Sequence, residues 1–316
     1  MPEAPVIAAR GLGREFGTFT AVRDFDLDVQ RGEVFGLLGA NGAGKTTAIR
    51  MLCGTLAPSR GTVTVAGFDM VRRARRARSR IGYVTQRFTL YGELTVRENL
   101  RLQAGLYGVT GALRDERIDR ALQRFELTEP AEDRAARLPL GYQRRLAVAA
   151  ALLHEPDVLF LDEPTSGIDP LARQKLWELV YDLAAGGMGV LVTTHYMDEA
   201  LFCDRLALMD RSRVIASGTP EELLAHPVAS PPIEVRSEDD ARCAAWLARD
   251  PDVHEVLPRA GRQRMRLRNG VAREEWAARA GEEAAGQGLP LRIDTHAVPE
   301  LEDIFVALLE DQEARQ

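Results

Sequence analysis

Residues 33–47 read EVFGLLGANGAGKTT, and this stretch decides the fold. Its first part, EVFGLL (33–38), is the nearly continuous apolar run expected of a strand covered on both faces. The run passes directly into Gly39, Ala40, Asn41, Gly42, Ala43, Gly44, Lys45, Thr46 and Thr47, which fit the pattern GxxxxGK[ST]. A helix follows through Met51 and Leu52 and stops at Gly54. Glycines at these places let backbone N–H groups turn inward around phosphate oxygens, and the helix N-terminus adds its partial positive charge. Lys45 is spaced to reach the outer phosphates of a nucleotide, and the Thr46 hydroxyl to hold Mg²⁺. The bland alternative is a chance glycine turn before a helix; the full pattern, with one of the chain's two lysines at the required position, favours the phosphate loop. Only two lysines, Lys45 and Lys175, occur among the 41 Lys and Arg residues. A lysine retained in so arginine-rich a chain is a candidate for a place where a guanidinium does not fit.

Outward from this loop, strands and helices alternate. FDLDV (25–29) alternates apolar and acidic residues, as a half-exposed antiparallel strand does. TVTV (62–65), IGYVT (81–85), VLFL (158–161), VLVTT (190–194) and LALMD (206–210) read as further strands. Between about 88 and 153 the pattern turns helical, with Ile118, Leu122 and Phe125 at helical spacing and a long helix over roughly 142–153. Asp169 and Pro170 open another helix as N-cap and first-turn residue, and it ends at Gly186. This order implies an α/β sheet with a helical insertion. A proline-rich stretch, HPVASPP (226–232), suggests a division into domains 1–226 and 227–316. Beyond it the expected order is strand 233–237, helix 239–249, strands 253–257 and 263–268, helix 272–286, strand 290–294 and helix 300–310. That βαββαβ order matches a small ferredoxin-like domain.

Composition bounds the function. The 316 residues are 45% hydrophobic and 28% charged, an ordinary globular balance with room for about two domains. No apolar run approaches the ~18–20 residues of a membrane span. The start, MPEAPVIAARG, shows no basic region followed by an apolar stretch, so no secretion signal is expected. Cys53, Cys203 and Cys243 lie far apart without a CxxC, which fits a reducing cytoplasm better than a disulfide or zinc framework. A net charge of −6 excludes a grossly basic nucleic-acid binder.

The strand VLFL ends in Asp162 and Glu163. Acids at the C-terminal edge of a parallel sheet face the bound ligand. Asp162 is placed to support the Mg²⁺ shell, and Glu163 to polarise a water toward the γ-phosphate. With these motifs in order, residues 6–225 resemble the ATP-binding subunits of ABC transporters. The implied fold is a P-loop (RecA-like) α/β ATPase domain with antiparallel β and helical subdomains. The resemblance implies roles for other residues. Gln86, in GYVTQ, is similar to the Q-loop glutamine that touches Mg²⁺ and the attacking water. Asp169, in SGID (166–169), is similar to the D-loop aspartate, and His195 to the switch histidine, 32 residues after Glu163. Phe16 is similar to the aromatic that stacks on adenine, with Val22 against the ribose. The stretch that matches the family's LSGGQ signature departs from it: Leu138 is followed by Pro139, Leu140, Gly141 and Tyr142. In the family, this motif of one subunit caps the γ-phosphate held by another. Pro139 has neither a hydroxyl nor an N–H, so the capping side is altered while the nucleotide-binding side is intact.

TQRFTLYGELTVRENL (85–100) and VPELEDIFVALL (298–309) resemble stretches of drug-resistance-type exporters. The resemblance therefore implies an ATPase using ATP and Mg²⁺ in a head-to-tail dimer with a second ATPase domain. It would act with separate transmembrane permease subunits at the cytoplasmic face of the membrane, with no nucleic acid as partner. The alternatives are a soluble ABC ATPase without a membrane partner and a weakly hydrolysing half of a heterodimer. Six arginines crowd VRRARRARSR (71–80), with Arg72, Arg75, Arg76 and Arg80 expected on one helical face. A solvated face is the bland reading, and contact with anionic headgroups or an acidic loop the sharper one. The C-terminal domain shows no clustered chemistry; dimer support or regulation is expected of it, with His254 and His296 as ordinary surface or strand residues.

Overall fold

The computed structural model describes residues 4–226, 231–259, 261–268 and 270–313. The chain divides into two units, Met1–Pro220 and Glu221–Gln316. The short helix α8 (Pro220–Leu224) carries the division. It falls just before the proline-rich stretch expected to mark it, of which residues 227–230 lie outside the described residues.

In chain order the first unit runs β1 (Ile7–Phe16), β2 (Phe19–Val29), β3 (Val34–Gly39), α1 (Lys45–Leu52), β4 (Arg60–Val65), β5 (Phe68–Asp69), α2 (Ala74–Arg78) and β6 (Ile81–Val84). The helical insertion follows as α3 (Val96–Leu106), α4 (Gly111–Arg124) and α5 (Leu140–Leu152). Then come β7 (Val158–Asp162), α6 (Pro170–Ala185), β8 (Gly189–Thr194), α7 (Met197–Ala200), β9 (Arg205–Asp210) and β10 (Arg213–Gly218). Six strands form the central sheet in the order β10-β9-β3-β8-β7-β6. All of them are parallel except β10, which pairs antiparallel with β9. A second, antiparallel sheet has the order β2-β1-β4-β5.

Side-chain alternation along the central strands divides the interior in two. Leu159, Leu161, Val190 and Val192 face a core shared with α3, α4, α5 and α6. Val158, Phe160, Leu191, Phe35 and Leu37 face the other side, a core shared with α1 and the antiparallel sheet. Strand β1 escaped sequence reading because it lacks a clean period of two. Its pairing with β2 shifts register between Ala9 and Leu12 and again before Arg14, and Gly11 has a φ of 55°. The arginine-rich helix is also shorter than its composition suggests. α2 covers only Ala74–Arg78, so Arg72 and Arg80 lie outside it and Arg80 pairs instead with Asp157. No helix among the described residues is long and apolar enough to cross a membrane.

The second unit contains β11 (Ile233–Arg236), α9 (Asp240–Leu247), β12 (Val253–Arg259), β13 (Arg262–Leu267), α10 (Arg273–Gly286), β14 (Arg292–Asp294) and α11 (Leu301–Glu313). Its antiparallel sheet has the order β12-β13-β11-β14, the ferredoxin-like arrangement. Met265 and Leu267 of β13 join the apolar core with Trp276 and Ile233. The alternate residues, Arg264 and Arg266, are buried at 3% and 4% side-chain exposure among carboxylates. Arg264 binds Asp303 at 2.5 Å, and Arg266 binds Glu255 and Glu310 at 3.0 and 2.9 Å. His254 lies 3.0 Å from Glu310. Burial alone would raise the Glu310 carboxyl, but bonds from Arg266 and His254 hold it below the usual carboxylate range.

Candidate functional site

Parallel order places the C-terminal ends of β3, β8 and β7 side by side, and the candidate residues project from those ends. The loop after β3 must turn sharply into α1. Gly44 has a φ of 109°, and a Cβ there would lie 2.4 Å from the Ala21 carbonyl, so the position admits only glycine. The next residue, Lys45, is 4% exposed, and its Nζ donates to the carbonyls of Gly39 and Ala40 at 2.7 and 3.2 Å. Burial pulls its ammonium below the ordinary lysine value, against the opposing charges of Glu163 and Asp162.

At the end of β7, Asp162 Oδ1 accepts from Thr193 Oγ1 at 2.7 Å and from Thr46 Oγ1 at 3.4 Å. Tyr83 OH reaches its other oxygen at 3.5 Å. Burial raises the Asp162 carboxyl, and the Thr193 hydroxyl opposes that shift. Glu163 has a φ of 48°, a left-handed conformation that a side chain seldom adopts. Its backbone N–H holds that geometry by donating to the Thr193 carbonyl and hydroxyl at 3.1 and 3.0 Å. The resulting turn aims the Glu163 carboxylate back across the sheet edge. There it accepts from Gln86 Nε2 at 2.8 Å and lies 3.8 Å from Lys45 Nζ. His195 Nδ1 is 3.2 Å from Glu163 Oε2 but lacks hydrogen-bond alignment. Its ring packs on Tyr196 at 4.1 Å, and the Arg173 guanidinium lies over the Tyr196 ring.

Lys45, Thr46, Gln86 and Glu163 border a cavity of about 450 Å³, lined also by Asn41 and Gly42 among others. The structure thus brings together Lys45, Thr46, Gln86, Asp162, Glu163 and His195. It does not bring Phe16 and Val22 to the cavity in the way the sequence suggests. Val22 is fully buried in the apolar core, and Phe16 is 46% exposed with the Arg14 guanidinium over its ring. The cavity is lined instead by Phe19, the register partner of Phe16 across the β1–β2 turn. The residues Pro139, Leu140, Gly141 and Tyr142 stand apart from the cavity lining at the start of α5, with Pro139 as N-cap and Leu140 39% exposed. Asp169 caps α6, its Oδ1 accepting from the Ala172 N–H at 3.0 Å.

Sequence reading missed Thr193, Tyr83 and Arg144. Thr193 carried a usable signal, a polar residue closing an apolar strand beside β7. Tyr83 carried none, since an aromatic residue in a strand reads as core. Arg144 donates to the carbonyls of Thr85 and Gln86 from within α5. Of the two lysines, Lys45 is buried in the loop, whereas Lys175 makes a surface pair with Glu126 at 2.9 Å.

Thr46 Oγ1, the Asp162 carboxylate and the Gln86 amide offer oxygen donors only. Such a set suits Mg²⁺, which keeps several waters and takes few protein ligands. The loop N–H groups at the α1 N-terminus and Lys45 suit a phosphate chain.

Comparison with known proteins places this geometry. The ABC transporter family model matches residues 22–166. Over 224 residues the chain is 48% identical to the probable multidrug ABC transporter ATP-binding protein YbhF of Escherichia coli. That match covers 71% of this chain and 39% of YbhF, so the chain spans well under half of that relative. It is 41% identical over 236 residues to the Nod factor export ATP-binding protein I of Ralstonia nicotianae, covering 74% of both chains. Among solved structures it resembles a dimeric ATP-binding cassette in a post-hydrolysis state with ADP and phosphate bound. The TM-score is 0.62 and the identity 25%, over 67% of this chain and 98% of that one.

Proposed function

The chain belongs to the ABC transporter family as an ATP-binding subunit, and on that premise we propose that it hydrolyses ATP to drive export through separate membrane-spanning subunits. One observation carries the reading. Lys45, Thr46, Gln86 and Glu163 border a single cavity, and Thr46 Oγ1 lies 3.4 Å from Asp162 Oδ1. That is an arrangement for in-line attack of water on a γ-phosphate, in which the protein positions groups and stabilises charge. Loop N–H groups and Lys45 bind the phosphates. Glu163 orients the attacking water and accepts its proton, while Gln86 and His195 flank that carboxylate. Thr46, Asp162 and Gln86 would hold Mg²⁺, which when bound neutralises charge on the phosphate oxygens.

Two such domains would close head to tail, each site completed by the opposite signature. The dimeric state of the solved cassette and the names of the exporting relatives support this arrangement. The transported substrate class, the membrane partner and a location at the cytoplasmic membrane face belong to the same proposal. The exposed N-cap Pro139 favours a second reading within it. Lacking a hydroxyl, it would cap a neighbour's nucleotide poorly, so this chain would work best beside an ATPase with a serine signature.

The test is phosphate release from Mg²⁺-ATP by the purified chain, followed by co-purification with a membrane protein from native membranes. Saturable turnover, abolished in Asp162→Asn, supports the reading. Failure to bind ATP at millimolar concentration would overturn it.

A further inference from the structure

Among the described residues, Arg144 is a buried cation without an anion. It lies one turn into α5, is 7% exposed, and among the described residues makes no ion pair. Its Nη1 donates to the Thr85 carbonyl at 3.2 Å and its Nη2 to the Gln86 carbonyl at 2.5 Å. Its Nε has no partner. A guanidinium stays charged in proteins, and burying it against two carbonyls alone is unfavourable compared with a hydrocarbon of similar volume. Burial accordingly pulls Arg144 below the ordinary arginine value.

The geometry shows what that cost secures. The Thr85 carbonyl belongs to the peptide plane before the Gln86 Cα, and the Gln86 carbonyl to the plane after it. Peptide planes are rigid, so pinning both fixes the two soft dihedrals of Gln86 and the direction in which its side chain leaves the backbone. That side chain donates to Glu163 at 2.8 Å. The planar fork of arginine spans two successive carbonyls, which the single ammonium of lysine does not. Arg144 also sits on the helix that begins at Leu140, so any rotation of α5 turns the fork.

We infer that Arg144 is a positioning residue: it clamps the backbone on both sides of Gln86, sets the Gln86–Glu163 contact, and makes that contact follow the orientation of helix α5. This rests on the proposed hydrolytic role of Gln86 and Glu163.

The experiment compares the full chain with Arg144→Met, Arg144→Lys, Gln86→Ala and the double variant Gln86→Ala/Arg144→Met. Steady-state phosphate release, affinity for a fluorescent ATP analogue, and amide hydrogen exchange across residues 84–90 are measured for each. R144M is expected to lower kcat about tenfold while KM stays within about twofold, the pattern for loss of an interaction needed only in the transition state. R144K should recover part of the loss. In the Q86A background R144M should cost less than about twofold more, because the two residues act as one unit. Exchange across 84–90 should quicken in R144M. A merely structural arginine would instead multiply its loss with that of Q86A. That result, parental kcat in R144M, or unchanged exchange across 84–90 would overturn the inference. If R144M does not fold, R144K carries the same three readouts. If the parent neither binds nor hydrolyses ATP, the proposed function falls, and the exchange measurement alone then decides whether the clamp exists.

Discussion

Replacing Glu163 by Gln separates proton acceptance from geometry. Glutamine keeps an oxygen that accepts from Gln86 Nε2, now at 2.8 Å, and keeps the backbone N–H that bonds Thr193. What leaves is a basic oxygen and one negative charge. That charge lies 3.8 Å from Lys45 Nζ, with side-chain exposures of 9% and 4%. At an effective dielectric constant near 20 their attraction is about 4 kcal/mol. Without nucleotide, E163Q should therefore melt earlier than the parent, since Lys45 loses its main counter-charge. With nucleotide the sign reverses, because the freed ammonium meets a phosphate and no carboxylate repels that phosphate. ATP affinity should hold or tighten. Turnover should fall by about 10²- to 10⁴-fold, the usual size of a general-base effect, or about 3–5 kcal/mol of barrier. Steady-state phosphate release reads the rate, and gel filtration with Mg²⁺-ATP should show an accumulated dimer. Turnover within a few-fold of the parent would refute the assignment of Glu163 and with it the proton path.

Lys45→Ala should weaken ATP binding, and Lys45→Arg should fail as well, because a planar guanidinium is too large for a loop closed around a point charge; parental affinity in K45R would remove the reason for the retained lysine. Pro139→Ser with Leu140→Gly should raise turnover of the chain alone about tenfold or more, since a hydrogen bond to a charged group is worth roughly 1.5–3 kcal/mol; a fall in rate would show the native signature competent as it stands. Phe19→Ala should weaken ATP binding by about 1–3 kcal/mol if Phe19 stacks on the base; unchanged affinity, with the loss appearing in Phe16→Ala, would return that role to Phe16. Arg264→Met strands Asp303, 3% exposed, and should destabilise the C-terminal unit by about 3–5 kcal/mol in thermal unfolding; a change below about 1 kcal/mol would show the ion pair dispensable.

The legible parts of this protein were those where one residue type answers one local demand. The loop at 39–47 needs glycine at tight turns and lysine at its close, and β7 needs unbroken hydrocarbon because both its faces are covered. Strands, helices and the βαββαβ order of the C-terminal unit were readable for the same reason. Contacts made across sequence distance were not. Gln86 meets Glu163 across 77 residues, and Arg144 reaches Thr85 across 59. Nothing in QRRL tells which arginine turns inward. On the adenine side Phe16 and Phe19 face each other across a two-residue turn, and sequence alone does not distinguish them.

The arginine face of β13 has a mechanical consequence. Hydrocarbon surfaces tolerate sliding, since any overlap of similar area is nearly as good. A row of guanidinium forks behaves like a toothed rack. Asp303 and Glu310 stand seven residues apart on α11, and Arg264 and Arg266 two apart on β13. Slipping the helix by one turn would carry both carboxylates about 5.4 Å, well beyond hydrogen-bond reach. Both contacts would be lost together, and Asp303, 3% exposed, would be left inside without its guanidinium, while Arg264 keeps Glu234 and Arg266 keeps Glu255. Helix α11 therefore has one favoured notch on this sheet, set chiefly by the buried Arg264–Asp303 pair.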